Sequence, residues 1–517
     1  VTTEPRTGAY GRAESTRSAA DTPAAGGTVA EAGGPAEASG AEQRARAHAP
    51  EPRTAATRPP GPAAPQHHGA DPATAARAAT EAILRDTLDG SSRGVLVDSP
   101  PGAGKSTLVV RAARELAAAG RRLLLVAQTN AQVDDLVDRL AREEPDLPVG
   151  RLHSSDPRPY DPVLDGHEHV RTATSLADLA GLGVIASTAA KWAYVAAARA
   201  KEAEGAERWE HAIVDEAYQM RSDALLSVAG LFERALFVGD PGQLDPFSAV
   251  GAEQWSGLAW DPAASAVTTL LAHHPGLPQH RLPVSWRLPA SAAPLVSRAF
   301  YPFTPFRSGT GPGERRLAFA ERSDGSGADR VLDEAAASGW GLLELPAAHT
   351  PRTDPEAVAA VARVVRRLLE RRGTTASERG EGELTADRVA VGTAHRDQAA
   401  AVRAALARTL PAESADAVTV DTANRLQGME FDVTVVLHPL SGRPDATAFH
   451  LETGRLCVLA SRHRHACVVV CRAGVPELLD EHPSTEPVQL GAVVKFPDGW
   501  EAHQAVLAHL ADHRVRA

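Results

Sequence analysis

Two short segments carry residue types suited to phosphate chemistry. Ser99-Pro100-Pro101-Gly102-Ala103-Gly104-Lys105-Ser106 follows an apolar run, Gly94-Val95-Leu96-Val97, and precedes an amphipathic stretch from Thr107 to Ala119. A Gly-rich turn between a strand and a helix presents successive backbone N–H groups and the helix dipole to an anion. Lys105 can then reach the β and γ oxygens of a nucleoside triphosphate, and the Ser106 hydroxyl can ligate Mg²⁺. Pro101, Gly102, Ala103, Gly104 and Thr107 complete the expected cradle. About 110 residues further on, His211-Ala212-Ile213-Val214-Asp215-Glu216-Ala217-Tyr218-Gln219 reads as an apolar strand ending in two adjacent carboxylates. Ligands sit at the carboxyl ends of parallel strands. Asp215 is placed there to hold Mg²⁺, often through water, and Glu216 to orient and deprotonate an attacking water.

The elements expected to position these residues alternate along the chain. Strand-like runs at Leu123 to Ala127, Val184 to Ala186, Ala212 to Val214 and Ala235 to Val238 are separated by helical patterns, which reads as parallel-sheet α/β. A second set follows at Gly341 to Leu345, Val389 to Gly392, Val418 to Val420, Val433 to Leu437 and Ala466 to Val470. Asp71-Pro72 is expected to open one helix, and Asp354-Pro355 another that stops at Gly373. Ser377 to Glu383 alternates Gly with charge and reads as a solvent loop. Residues 1–70 lack apolar periodicity and read as a disordered low-complexity tail.

Composition sets the limits. Of 517 residues, 43% are hydrophobic and 23% charged, enough for a sizeable core, but aromatics supply only 4% and leave that core to Ala, Val and Leu. A formal net charge of -11 argues against coating nucleic acid or an anionic membrane by bulk charge, and leaves room for a local basic groove. The longest apolar run, Trp192 to Ala198, is far shorter than the roughly 18 residues a membrane helix needs. Cys457, Cys467 and Cys471 fall in one short segment, which excludes a disulfide-rich scaffold. No basic stretch followed by an apolar one marks a secretory signal. A soluble, cytoplasmic monomer with no membrane contact is the expectation, and no protein partner is specified.

Taken in order, the motifs resemble those of superfamily 1 helicases, most closely the Upf-like 5′-to-3′ branch, over about residues 75 to 475. The Ser99 to Ser106 loop looks like motif I, Ala127 to Asp134 like motif Ia, Ser187-Thr188 like motif Ic, and Asp215 to Gln219 like motif II. Val238 to Pro246 is similar to motif III, Ser285 to Pro289 to motif IV, Thr422 to Asp432 to motif V, and Arg455 to Arg464 to motif VI. The resemblance implies two RecA-like P-loop domains, at 71–278 and 279–478, between the tail and a C-terminal extension at 479–517. It also implies roles. Gln243 would sense the γ-phosphate, Arg287 and Arg462 would act as arginine fingers across the interdomain cleft, and Gly428 and Glu430 would couple nucleotide to nucleic acid. Thr129, Asn130, Ser187, Thr188 and Thr422 would touch a nucleic-acid backbone. The implied activity is ATP hydrolysis with Mg²⁺ that drives movement along single-stranded DNA or RNA, 5′ to 3′. The alternatives are a nucleic-acid-stimulated ATPase that remodels or clamps without unwinding, and a non-catalytic nucleotide-dependent binding module.

This chain departs from the family at several places. Ser99 stands where the loop usually has Gly, and no Gln lies between Gln66 and Gln128 to read adenine. His463, His465, Cys467 and Cys471 have the residue types of a zinc cluster, but they span a loop and a strand in which residues alternate faces, so packing is the expected role of the cysteines. Trp192, Tyr194, Trp255, Trp260 and Trp286 are the aromatic candidates for base stacking, with core packing the expectation for at least half.

Overall fold

The computed structural model describes residues 71–155, 160–200, 208–242, 244, 246, 255, 261–482 and 497–517. The expected tail therefore lies outside the described residues, as do Gln243, Trp260 and the whole segment from 483 to 496.

The first helix opens where its capping signal stands. The Asp71 carboxylate accepts from Thr74 N at 3.2 Å, Pro72 takes the first helical position, and Pro72–Asp89 ends at Gly90 with φ 66°. Eight strands then build the first sheet: β1 (Gly94–Asp98), β2 (Leu123–Ala127), β3 (Val149–Leu152), β4 (Val170–Ala173), β5 (Val184–Thr188), β6 (Trp209–Asp215), β7 (Phe232–Gly239) and β8 (Gln279–Arg281). Their order is β4-β3-β5-β2-β6-β7-β1-β8, and every pairing is parallel. Every residue of β1 and β2 is buried, as continuous apolar strands must be when helices cover both faces. Since β8 pairs with β1, the first sheet runs three residues past the boundary expected at 278.

Short strands β9 (Val284–Ser285) and β10 (Arg307–Ser308) pair with each other beyond it. The second sheet is again all parallel. It joins β12 (Trp340–Leu345), β15 (Val389–Thr393), β16 (Thr419–Thr422), β17 (Phe431–Leu437), β18 (His463–Arg472) and β19 (Arg514–Arg516) in the order β16-β15-β17-β18-β12-β19. Helix Pro355–Glu370, capped by Asp354 as expected, lays Val358, Val361, Val365 and Leu368 against this sheet.

Two segments differ from their expected form. The stretch read as a solvent loop is a hairpin: β13 (Gly373–Ser377) pairs antiparallel with β14 (Gly380–Glu383) and with β11 (Arg316–Phe319). Ion pairs of Glu378 at its tip, described below, offset its lack of apolar residues. The C-terminal residues 497–517 are built into the second domain instead of trailing from it. Helix Gly499–Ala511 buries Ala502, Val506 and Leu510 beside Cys457 and Leu479, and β19 pairs with β12. All three cysteines are free and buried, as their packing role requires.

Candidate active site

Sheet order brings the two chemical segments together. β7 lies between β6 and β1, with Asp215 opposite Val238 and Asp98 opposite Gly239, so the ends of β1, β6 and β7 are neighbours. The Gly-rich loop leaves β1, and helix Lys105–Ala118 starts from Gly104 at φ 89°. The Lys105 ammonium bonds Asp215 Oδ1 and Glu216 Oε1, both at 2.7 Å. Burial alone would lower the Lys105 pKa, but the two carboxylates outweigh it and hold the ammonium above its ordinary range. Residues far apart in sequence thus converge on one ammonium.

Glu216 is held under strain. It has φ 52°, in the left-handed region that non-glycine residues rarely adopt, and its N–H donates to Asp215 Oδ1 at 2.9 Å. Its other carboxylate oxygen, Oε2, is buried with no hydrogen-bond partner among the described residues, and so is the Ser99 hydroxyl. A buried carboxylate oxygen held off its preferred backbone, beside a cationic loop, suits a group that must accept a proton from an incoming water. The next residue but one braces the strand ends: Tyr218 donates to Asp98 Oδ1 at 2.6 Å.

The second domain supplies cations to the same place. Trp286 N donates to Gly102 O at 2.8 Å, and Ser285 donates from its hydroxyl to Pro101 O at 2.6 Å. Gly102 has φ 68°, and a Cβ there would fall 2.2 Å from Arg287 Cβ, so the loop and Arg287 touch only because this position is glycine. Arg287 donates to Gly428 O at 3.2 Å and to Glu430 Oε2 at 3.4 Å. Arg462, 1% exposed, donates from Nη2 to the Ser461 hydroxyl at 2.7 Å, while its Nε and Nη1 are buried with no hydrogen-bond partner among the described residues. Burial and then the nearby Arg462 charge lower the Arg287 pKa to about 10. Two buried like charges, one of them with two donors unpartnered among the described residues, suit the approach of a polyanion.

A network that the sequence did not signal sets this arrangement. Glu378, at the turn of the β13–β14 hairpin, accepts from Arg315 Nη2 at 2.8 Å and from Arg464 Nη2 at 2.7 Å. Burial would raise the Glu378 pKa, but the bonds and charges of Arg315 and Arg464 bring it down to about 2. Arg315 also donates to the carbonyls of Trp286 and Arg287, so the hairpin fixes the backbone that carries Arg287.

The expected nucleic-acid contacts divide. Thr129 and Asn130 are exposed at the start of helix Asn130–Glu143, where Thr129 and Gln132 form a capping box. Thr188 is half-buried and caps helix Ala189–Arg199. Ser187 is a correction: it is 0% exposed and donates to Leu152 O at 2.6 Å, so its hydroxyl ties β5 to β3 and does not face solvent. The Thr422 side chain is buried too. Of the aromatic candidates, Trp192 is core, donating to Leu125 O at 3.0 Å, whereas Tyr194, Trp255 and Trp286 are exposed. His463 and His465 are buried, and among the described residues no three His, Cys, Asp or Glu side chains group to hold a metal ion. Burial drives the His463 pKa down to about 3.

Comparison with known proteins agrees with this architecture. Residues 77–265 match a family model described as an AAA domain, and residues 347–474 match a second AAA-domain model. No curated protein sequence matches the chain. Among solved structures, the PRRSV helicase is 14% identical at a TM-score of 0.35, covering 76% of this chain and 54% of that one. Arterivirus nonstructural protein 10, a helicase, is 14% identical at a TM-score of 0.36, covering 77% and 61%. Its complex with DNA is 14% identical at 0.37, covering 75% and 62%. The chain thus spans less than two thirds of the length of these proteins, and likeness at such scores carries no argument about activity. By its two AAA domains and the motifs they hold, the chain belongs to the superfamily 1 helicases, with a P-loop core.

Proposed function

We propose that the chain hydrolyses ATP in the cleft between its two α/β domains and uses the cycle to move along single-stranded DNA or RNA, 5′ to 3′. The observation that carries this reading is the pairing of two buried, mutually repelling arginines, Arg287 and Arg462, with a Gly-rich loop whose lysine joins Asp215 to Glu216. Phosphoryl transfer is catalysed mainly by positioning and charge compensation, and these groups supply both. The loop N–H groups and Lys105 bind the phosphates. Glu216 Oε2 takes the proton of the attacking water. Arg287 and Arg462 stabilise the charge that develops on the γ-phosphoryl oxygens. Ser106 and Asp215 would hold Mg²⁺, which brings further neutralisation of phosphate charge. Gln243 is assigned to sensing the γ-phosphate by its motif position, although it lies outside the described residues.

The direct support for a nucleic-acid track is the placing of Thr129, Asn130 and Thr188 at helix starts that follow parallel strands. There backbone N–H groups suit phosphates without reading sequence. No helix among the described residues is long and apolar enough to cross a membrane. Strand displacement from duplexes with a 5′ or a 3′ single-stranded tail tests the proposal. ATP-dependent release from the 5′-tailed duplex alone is expected. ATP turnover without release from either would favour a remodeller or clamp, and no triphosphate turnover at all would leave only a nucleotide-dependent binding module.

A further inference from the structure

One buried phenol joins the turn after β7 to the helix that leads into Arg462. Tyr301, in the second domain, donates its hydroxyl to Asp240 Oδ1 of the first domain at 2.7 Å, and the same oxygen of Asp240 accepts from Gly242 N at 2.9 Å. The Tyr301 oxygen also lies 3.4 Å from the Cys457 sulfur. Cys457 sits on helix Thr453–Ala460, whose end runs through Ser461 to Arg462. Tyr301 is 0% exposed and Asp240 2%. The ring and the turn are in direct contact, since a Cβ on Gly242 would fall 2.4 Å from Tyr301 Cζ. Phe306 holds the ring edge-on, with centroids 5.2 Å apart. Burial, and then the charge of Asp240, push the Tyr301 hydroxyl well above its ordinary pKa, which keeps it a donor.

A ring that only filled the core would gain nothing from a hydroxyl bonded to a buried carboxylate across a domain boundary. That bond is charge-assisted and short, so a relative shift of the domains that lengthens it carries an energetic cost. The Asp240 turn leads directly into Gln243. We propose that Tyr301 is a positioning residue that couples this turn to the helix that leads into Arg462, so that the arginine is in place only when the turn is. Tyr301 acts through Asp240 and Cys457 and touches no substrate. The inference rests on reading the cleft as an ATPase.

Tyr301→Phe removes the hydroxyl and keeps the ring. ATP turnover is measured with and without single-stranded DNA, beside the melting midpoint. Losing one charge-assisted bond used in catalysis corresponds to about a ten-fold loss of stimulated kcat, with KM for ATP held within about two-fold. The ratio of stimulated to unstimulated turnover falls with it. Asp240→Asn gives the same pattern, and adding it to Tyr301→Phe costs no more than the worse single variant, because both break one link. Stimulated kcat unchanged in either variant, a rise in KM with kcat intact, or additive losses would overturn the coupling. Should Tyr301→Phe not fold, Asp240→Asn alone decides by the same readout. A wild-type chain that turns over no ATP overturns the ATPase reading first and the coupling with it, an outcome visible before any variant is made.

Discussion

Replacing Arg462 by Met is predicted to stabilise the protein while removing its activity. The Arg462 guanidinium is 1% exposed, and only its Nη2 has a hydrogen-bond partner among the described residues, the Ser461 hydroxyl. Each buried donor left unsatisfied costs about 1–3 kcal/mol, and losing the Ser461 bond costs about 1 kcal/mol. The charge of Arg462 also weighs on Arg287, whose pKa is lowered to about 10, first by burial and then by Arg462. Met fills similar length with flexible apolar atoms and carries no charge. The balance favours Arg462→Met by on the order of 1–3 kcal/mol, a rise of at least about 2 °C in the melting midpoint without nucleotide. If Arg462 is an arginine finger, ATP turnover falls by about 10³- to 10⁵-fold in the same variant. Scanning calorimetry and a steady-state ATPase assay read the two effects separately. A midpoint several degrees lower would mean that Arg462 is a structural partner. Retained turnover would remove it from the reaction.

Three further outcomes follow from the same geometry. Glu216→Gln should keep ATP binding, measured by equilibrium titration, and lose turnover by about 10²- to 10⁴-fold, since only the proton acceptor is removed; unchanged turnover would dismiss Glu216 as the base. Gly102→Ala places a Cβ 2.2 Å from Arg287 Cβ at a φ of 68°, so it should lower both the melting midpoint and ATP affinity, whereas Gly120→Ala, also at positive φ but with nothing within 4 Å of its Cβ, should keep ATP affinity. Acid should weaken the fold through buried histidines. Burial holds His438 at about 4 and His463 at about 3, both below the ordinary 6.5, so the unfolded chain binds protons that the native one refuses. The stability they confer is present above pH 6.5 and lost as pH falls toward 4 and then 3. The urea midpoint should be lower at pH 5 than at pH 7, and equal midpoints would count against neutral buried imidazoles.

Much of this was legible in the sequence because it depends on short-range pattern. The Gly-rich loop announces itself by glycines whose positive φ no other residue tolerates well, β2 by an unbroken apolar run, and β6 and β17 by the shorter apolar runs Ala212 to Val214 and Val435 to Leu437 within them, as a sheet covered on both faces requires. The Asp71 and Asp354 caps lie beside the helices they open. What was not legible depends on contacts distant in sequence. Ser187 looked like a contact residue, yet its strand is interior and its hydroxyl turns to Leu152 O. The Ser377 to Glu383 stretch has no strand propensity of its own, and its hairpin is held by Arg315 and Arg464 pairing with Glu378. Nothing near Tyr301 in sequence points to Asp240, and β19 pairs with β12 about 170 residues away in sequence.

ATP turnover titrated with single-stranded DNA and, separately, RNA tests the central claim most directly, with Glu216→Gln run alongside. Hydrolysis is expected to rise with at least one of the two polymers and to saturate, and to be absent from the variant. Turnover indifferent to both polymers, or equal in the variant, would contradict that claim.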